Sequence, residues 1–337
     1  MSKSITSRDV ARLAGVSQPT VSRTLRNLPG TAPETRERIL AAARQLNYIQ
    51  SESGRTLSTR RSNRVAIVAE GLVNPFYPEL VEPIRELLSD RGYRSVLITD
   101  HAGDSVTVDA LADGSYDGVV LCTIARNATL PRDLTERGVP HVLVNRVLDV
   151  PESSSCTFDN RGGARTIAHF LADLGHAQIG AIHGLSQYST GRERAEGLRT
   201  GLRDHGLHVH RANTRRVPFT YDAGRAAALQ LLERPDRPTA LFCGNDVVAI
   251  GALSAAHELG ISVPDELTIV GFDDVPAAGW GVIGLSTLRC DRQEMARISV
   301  DLLMDSVDGG RPVHQVIEHG PLVQRGTHAR AACQAIP

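Results

Sequence analysis

Residues 10–25 have the sequence VARLAGVSQPTVSRTL, a pattern that predicts two short helices joined by a tight turn. Gly15 can adopt the left-handed conformation that lets a chain leave one helix and begin another within a few residues. Ser17 is a favourable N-cap for the second helix, and Pro19 falls in its first turn, where a proline loses no intrahelical hydrogen bond. The stretch therefore has the form of a helix-turn-helix.

The second predicted helix has an apolar face and a polar face. Val21 and Leu25 are four residues apart and are expected to be buried together. The other positions carry side chains that can bond to phosphates or base edges: Gln18, Thr20, Ser22 and Arg23. Such a face is typical of a helix that lies in the major groove of DNA.

Two further helices are expected to complete the core of a small all-α head. In the first, Thr6 and Asp9 have the spacing of a capping box. Its predicted buried face consists of Val10, Leu13 and Ala14. The third helix begins near Pro33, which suits a first helical turn, and its apolar residues recur at helical spacing. These residues are Ile39, Ala42, Ala43 and Leu46.

Charge is distributed unevenly along the chain. The whole chain has 37 basic and 38 acidic residues, but residues 1–62 contain 11 basic and 4 acidic ones, a net charge of +7. The remainder has 26 basic and 34 acidic residues, a net charge of −8. A basic head on an acidic body favours phosphate binding by the head and a different role for the body.

From residue 63 short apolar runs alternate with helical patterns. Runs that are apolar throughout predict strands buried on both faces, and they occur at residues 65–68, 96–98, 119–121, 142–144, 179–182, 240–243 and 269–272. The predicted helices between them include residues 77–91, 162–174, 192–205 and 222–232. Repeated βαβ units imply parallel sheets flanked by helices.

About 275 residues is long for one sheet, so we expect a body of two lobes. The predicted domains are the head at 1–49, a polar linker at 50–62 and the body at 63–337. The first lobe is placed at about 63–160 and 291–323, and the second lobe at about 161–290 and 324–337. Ligands of such sheets bind beyond the carboxyl ends of the strands, so a cleft between the lobes is the predicted small-molecule site.

Other classes of protein are disfavoured. The sequence has no P-loop, dinucleotide fingerprint, metal-ligand spacing or nucleophile with its base, so we expect neither catalysis nor a cofactor nor a metal site. The N-terminal residues lack the apolar segment of a secretory signal, and no run approaches the ~18 apolar residues of a membrane helix. A cytoplasmic protein with no membrane segment, at the nucleoid when bound to DNA, is expected.

Residues 9–23, DVARLAGVSQPTVSR, match the pattern D-V-A-x-x-A-G-V-S-x-x-T-V-S-R. Matches in the body include NPFY at 74–77, NR at 145–146, GND at 244–246, GFDD at 271–274 and LVQRGT at 322–327. On these residues the chain resembles the lactose-repressor (LacI/GalR) family of bacterial transcription regulators, from about residue 5 to residue 327. The resemblance implies a periplasmic-binding-protein-like body and a homodimer that binds a near-palindromic operator. Since the chain ends soon after residue 327, a dimer is expected and not a tetramer.

By position in the family, three residues of the second helix are expected to contact base edges: Gln18, Pro19 and Arg23. Ser17, Thr20, Ser22 and Thr24 are assigned to phosphate contacts or capping. In the family the linker folds into a hinge helix on DNA, and Leu57 matches the leucine that enters the central minor groove. Gly54 replaces a common alanine and raises the cost of folding that helix.

The resemblance also implies effector contacts, carried over by position to Asn74, Phe76, Asn145, Arg146, Arg194, Phe219, Asn245 and Asp273. Carboxylate, amide and guanidinium groups beside aromatic rings suit a sugar. A nucleobase or nucleoside, or a protein partner, is the alternative. Asn245 has the second possible role of capping the next helix. Ligand binding is expected to act through a population shift, and the sequence leaves open whether the ligand releases or promotes DNA binding.

Overall fold

The structure, a computed structural model, describes residues 5–25, 28–48, 61–99, 106–150 and 152–331. The chain divides into two compact units, residues 1–62 and 63–337, which we treat separately.

The head contains three helices: α1 (Ser7–Ala14), α2 (Gln18–Leu25) and α3 (Pro33–Gln45). Val10, Val21 and Ile39, one from each helix, are fully buried at its centre. Gly15 ends α1 in the left-handed conformation, with φ of 66°. The predicted helix-turn-helix is therefore present, and the all-α class of the head is confirmed.

Two expectations for the head are wrong. Leu13 is 46% exposed, because α1 packs on a narrow stripe that contains Val10, Ala11 and Ala14 and turns position 13 away from it. Thr24 does not face outward: it is fully buried, and its hydroxyl donates to the carbonyl of Thr20 at 2.8 Å. Thr24 is therefore committed to the core and is unavailable to phosphate.

The body is built from two parallel sheets with helices on their faces, as predicted. Its strands are β1 (Arg64–Val68), β2 (Arg94–Ile98), β3 (Gly118–Leu121), β4 (His141–Val144), β5 (Ser154–Phe158), β6 (Ile179–Gly184), β7 (Thr214–Val217), β8 (Ala240–Cys243), β9 (Thr268–Asp273), β10 (Ser286–Arg289), β11 (His314–Ile317) and β12 (Leu322–Val323). Its helices are α4 (Phe76–Asp90), α5 (Val108–Leu111), α6 (Leu130–Glu136), α7 (Asn160–Asp173), α8 (Ser189–Asp204), α9 (Tyr221–Leu232), α10 (Asp246–Glu258) and α11 (Arg292–Val307).

Each lobe of the body contains one six-stranded sheet. The strand orders are β11-β5-β4-β3-β1-β2 and β12-β10-β9-β8-β6-β7. Within the sheets Ala66 of β1 pairs with Val96 of β2 and Val119 of β3, and all pairings are parallel except that of β10 with β12. The chain crosses between lobes after β5, after β10 and after β11, so the carboxyl ends of both sheets meet at one cleft.

Two details of the body differ from the expectations. Strand β2 lies at a sheet edge and leaves Leu97 43% exposed, because it has a neighbour on one side only. The sequence predicts that residues up to about 323 belong to the first lobe, but β12 pairs with Thr287 and Leu288 of β10. The chain has therefore already returned to the second lobe at Leu322.

Candidate ligand cleft and recognition helix

Two adjoining cavities lie between the lobes. The outer cavity has a volume of about 290 Å³ and the inner one of about 10 Å³. Asn74, Tyr77, Arg146 and Phe219 line both. The outer volume is near the lower end of the ~300–1,000 Å³ usual for small-molecule sites, whereas the inner one has space for about one water molecule. The cleft is thus suited to a small ligand.

The structure brings seven of the eight predicted effector contacts into the walls of these cavities. They are Asn74, Phe76, Asn145, Arg146, Arg194, Phe219 and Asp273. Most of them follow the carboxyl end of a strand, and for this reason residues almost 200 positions apart in the chain share one wall.

Arg194 of α8 is held rigidly in the cleft. It is 3% exposed, Nε donates to Oδ1 of Asn160 at 2.9 Å, and Nη1 donates to the carbonyl of Gly244 at 2.7 Å. Nη2 lies 2.9 Å from Oδ1 of Asp273, and the guanidinium carbon is 3.7 Å from the centroid of the Phe272 ring. A planar group with these fixed bonds is preorganised to present its edge to a ligand.

The carboxyl group of this ion pair, Asp273, is buried close to a second buried carboxyl group, Asp246. Burial raises the pKa of Asp273, while the charges of Arg194 and Arg292 oppose the rise. Burial and then the charge of Asp273 raise the pKa of Asp246 well above its usual range. Asp246 accepts hydrogen bonds from the hydroxyl of Thr287 and from the backbone N–H of Val275. It therefore supports the floor of the cleft and does not line the cavities.

Arg146 supplies a second cation to the cleft in a different setting. Its guanidinium carbon lies 3.7 Å from the centroid of the Tyr188 ring and 5.7 Å from that of Tyr77. Among the described residues no carboxylate is within ion-pair distance of Arg146, and its buried Nε has no hydrogen-bond partner. Burial raises the pKa of Tyr77 to about 12, so this phenol is neutral and can donate.

Two residues of the cleft wall, Asn145 and Asp273, and the adjacent Asp274 have positive φ angles, a conformation that carries a cost and that clusters at functional sites. Asn145 has a φ of 68°, Asp273 of 119° and Asp274 of 51°. Asn145 is 4% exposed, and its Oδ1 has no partner among the described residues. An unpartnered buried acceptor in a cavity wall is a site at which a ligand hydroxyl could donate.

Asn245 is the predicted effector contact that does not line these cavities. Its Oδ1 accepts from the backbone N–H of Val248 at 3.0 Å and thereby caps α10. Capping is the second of the two roles that the sequence predicts for Asn245. Asn74 differs from Asn245: its Oδ1 accepts from the backbone N–H of Phe76 at 3.1 Å, and the residue also lines the cleft.

Sequence reasoning missed several cavity residues, which include Glu70, Tyr77, Leu185, Tyr188, Thr190 and Thr220. Tyr77 directly follows the predicted contact Phe76 and lies on the first turn of the same helix. Its position next to a predicted contact is enough to predict that Tyr77 also lines the cleft. Tyr188 follows β6 by four residues, and its stacking on Arg146 depends on the closure of one lobe on the other.

The predicted base-reading residues are exposed on α2. Gln18, Pro19 and Arg23 all lie at the surface of the head. Gln18 Nε2 donates to the hydroxyl of Ser7 at 3.2 Å, and Arg23 Nη1 donates to the carbonyl of Pro29 at 3.0 Å. These contacts hold both side chains in place without burying them.

Two of the predicted phosphate contacts already form a hydrogen bond within the head. Ser17 and Thr20 share a hydrogen bond of 2.8 Å between their hydroxyls at the start of α2. Ser22 is half-buried. Leu57 and Gly54 lie outside the described residues.

Within the described part of the chain, no group of three or more His, Cys, Asp or Glu side chains could hold a metal ion. In the same residues, every helix is too short or too polar to span a lipid bilayer.

Comparisons with known proteins assign both units. The family model of the bacterial regulatory proteins of the lacI family matches residues 6–51, and that of the periplasmic binding protein-like domain matches residues 168–328. The regulator CelR of Thermobifida fusca is 34% identical over 92% of this chain and 94% of its own length. The repressor CytR of Escherichia coli K12 is 33% identical over 90% of each chain.

Solved structures extend the likeness to the whole fold. The CelR–cellobiose complex has a TM-score of 0.74 at 32% identity and covers 96% of this chain and 99% of its own. The lac repressor dimer bound to operator and the anti-inducer ONPF has a TM-score of 0.85 at 25% identity, over 97% of this chain and 100% of its own.

Proposed function

Since this chain belongs to the lacI family of bacterial regulatory proteins, it is a DNA-binding transcriptional regulator, and we propose that it acts as a repressor whose affinity for a near-palindromic operator is controlled by a small molecule in the cleft. The observation that carries the proposal is the rigid Arg194–Asp273 pair in the wall of a cavity between two lobes. A ligand that binds one arrangement of the lobes better than another shifts their populations.

A sugar is the effector that the cleft suits best. Its walls combine guanidinium, amide and hydroxyl groups with the aromatic rings of Phe76, Tyr77, Tyr188 and Phe219, the mixture that binds hydroxyl groups and apolar ring faces. The relative CelR was solved with cellobiose, which supports this class. No group in the walls suggests chemistry on the ligand, and we propose binding without catalysis.

The effector proposal is tested with a thermal-shift panel of sugars, polyols, nucleosides and nucleobases. A ligand at a hundred times its dissociation constant stabilises the folded protein by about 2.7 kcal/mol, which gives a clear shift. We expect one sugar to raise the melting temperature and Asp273→Asn to abolish its effect. Arg225→Gln, which removes an exposed pair with Glu258, is the matched control and should leave the shift intact. A response to nucleosides or nucleobases alone would contradict the sugar assignment.

Contacts to DNA are proposed residue by residue. Gln18, Pro19 and Arg23 are placed against base edges, and Ser17, Thr20 and Ser22 against phosphates. We also propose that residues 1–49 form the DNA-binding head and residues 63–337 the effector-binding body. Residues 50–62 are proposed to form the hinge, with Leu57 in the minor groove. The exposure of α2 supports the base contacts.

The dimer is proposed to form through an apolar surface of the second lobe. Trp280 is 60% and Val282 95% exposed, and Val282 lines a groove of about 750 Å³. Apolar side chains of the groove walls are Ile250, Leu253, Ile261, Val263 and Ile283. Exposed apolar patches of this kind mark surfaces that another protein covers, and the lac repressor structure contains a dimer.

A charge on this apolar surface is expected to break the dimer. We predict that Val282→Asp shifts the sedimenting species from twice the chain mass to the chain mass at micromolar concentration, because the carboxylate would lose its hydration in the interface. Val316→Asp is the control, since Val316 is 62% exposed on the other lobe. Equal sedimentation of both variants and the parent protein would contradict the proposed interface.

A further inference from the structure

A second cleft lies in the second lobe, outside the ligand cleft. Its volume is about 490 Å³, and it is lined by α8, by the β6 and β7 edge of the sheet and by the segment between α8 and β7. We call it the basic cleft because of the side chains in its walls: His183, Arg192, Arg199, His208 and Arg216. None of these residues has a role in the function proposed above.

Local structure brings these groups together. His183 of β6 is the register partner of Arg216 on β7, so both side chains project from the same face of the sheet. On α8, Arg192 and Arg199 are seven residues apart, with Glu196 between them, and share one face of the helix. The helix packs against β6, and the cleft lies between the helix and the β6–β7 edge of the sheet.

Two buried nitrogen atoms in these walls have no partner among the described residues: Nδ1 of His183 and Nη1 of Arg192. His183 is 6% exposed. A buried donor or acceptor without a partner is unfavourable and uncommon in folded proteins, so such atoms point to a missing ligand. Arg192 uses its Nη2 in an ion pair of 2.7 Å with Asp149, and this pair leaves the buried Nη1 without a partner.

Positive charge in the basic cleft exceeds negative charge. Glu196, the acidic side chain among the lining residues, already accepts from Arg161 at 2.8 Å. Among the described residues no carboxylate lies within ion-pair distance of Arg199 or Arg216. Arg216 Nη1 donates to the carbonyl of Gly184 at 3.1 Å, which fixes its guanidinium beside the cleft.

His183 adds hydrogen bonding without adding charge. Burial, assisted by the nearby charge of Arg216, lowers the pKa of His183 to about 3, so its imidazole is neutral at physiological pH. A neutral Nδ1 presents either a proton or a lone pair. Monohydrogen phosphate has both acceptor oxygens and a P–OH donor and therefore satisfies either tautomer.

We propose that the basic cleft is a second ligand site, which binds the phosphate group of a small anion between Arg192, Arg199, Arg216 and His183. Guanidinium groups match phosphate oxygens through paired N–H donors. Because Arg192 also holds Asp149 of the first lobe, an anion in this site contacts an ion pair that bridges the two lobes. Occupancy of the site is thereby connected to cleft closure.

Isothermal titration of the full-length protein with inorganic phosphate, at constant ionic strength, tests the site. We expect saturable binding of one phosphate per body, weakened at least tenfold in the double variant Arg199→Gln/Arg216→Gln. Both side chains are exposed, so the fold should be unaffected. Arg203→Gln, an exposed arginine of α8 outside the cleft, is the matched control and should bind as the parent does.

The proposal would be overturned by the absence of saturable phosphate binding to the parent protein, and equally by unchanged binding in the double variant. Loss of binding in Arg146→Gln with retention in the double variant would place the phosphate in the ligand cleft and would also overturn it. A parallel titration with glycerol 3-phosphate distinguishes the source of the phosphate, since tighter binding than inorganic phosphate indicates a phosphorylated metabolite. The sugar panel reports on the other cleft, so either proposal can fail alone.

Discussion

Replacement of Arg194 by methionine is expected to lower the free energy of unfolding of the body by about 3–5 kcal/mol, the usual cost of leaving one member of a buried ion pair alone. Asp273 would remain as a buried carboxylate without its partner, and the carbonyl of Gly244 would lose its donor. Methionine fills a similar volume and can pack on Phe272, so the loss reports chiefly on charge and hydrogen bonds. Urea unfolding followed by circular dichroism at fixed protein concentration measures it.

A double-mutant cycle separates this loss from a general packing defect. In Arg194→Met/Asp273→Asn the buried charge is absent, and we expect the double variant to recover at least half of the stability lost in Arg194→Met. Arg297→Met, which breaks exposed pairs with Glu294 and Asp301 on α11, should have little effect. Additive losses in the cycle would show that the two residues are not coupled.

Loss of the Arg23 guanidinium is expected to weaken operator binding by about 1–3 kcal/mol for each half-site, the discrimination of one bidentate contact to guanine. In the head without DNA, Arg23 is exposed and donates to the carbonyl of Pro29, a single hydrogen bond that a base edge can replace. Electrophoretic mobility shift of Arg23→Ala on DNA selected from a random pool by the parent protein measures the effect.

The control must separate base reading from general attraction to DNA. Arg12 of α1 is also exposed but lies outside α2, where it pairs with Asp9. Arg12→Ala should reduce binding to selected and random DNA to a similar extent, whereas Arg23→Ala should reduce the ratio between them. If Arg23→Ala left the ratio of binding to selected and random DNA unchanged, Arg23 would not be a base contact.

Strongly patterned elements could be predicted from the sequence. The apolar runs at β1, β3, β4, β6, β8 and β9 and the helix-turn-helix of the head occur where they were expected. Two polar strands could not be predicted, because their amino-acid composition resembles that of a loop. They are β5, with the sequence SSCTF, and β7, with the sequence TRRV. These segments are strands because their backbones pair with neighbouring strands, and those neighbours come from distant parts of the chain.

The sequence by itself determined the family, the helix-turn-helix and the residues that follow each strand, because capping, glycine turns and apolar periodicity are local properties. The tertiary structure decided which of those polar residues enter the ligand cleft. Asn145 and Asn245 both follow a buried strand, yet one lines the cavity and the other caps α10. Closure of one lobe on the other also creates the stacking of Arg146 on Tyr188. Such contacts join residues far apart in the chain, and no local pattern encodes the distance between them.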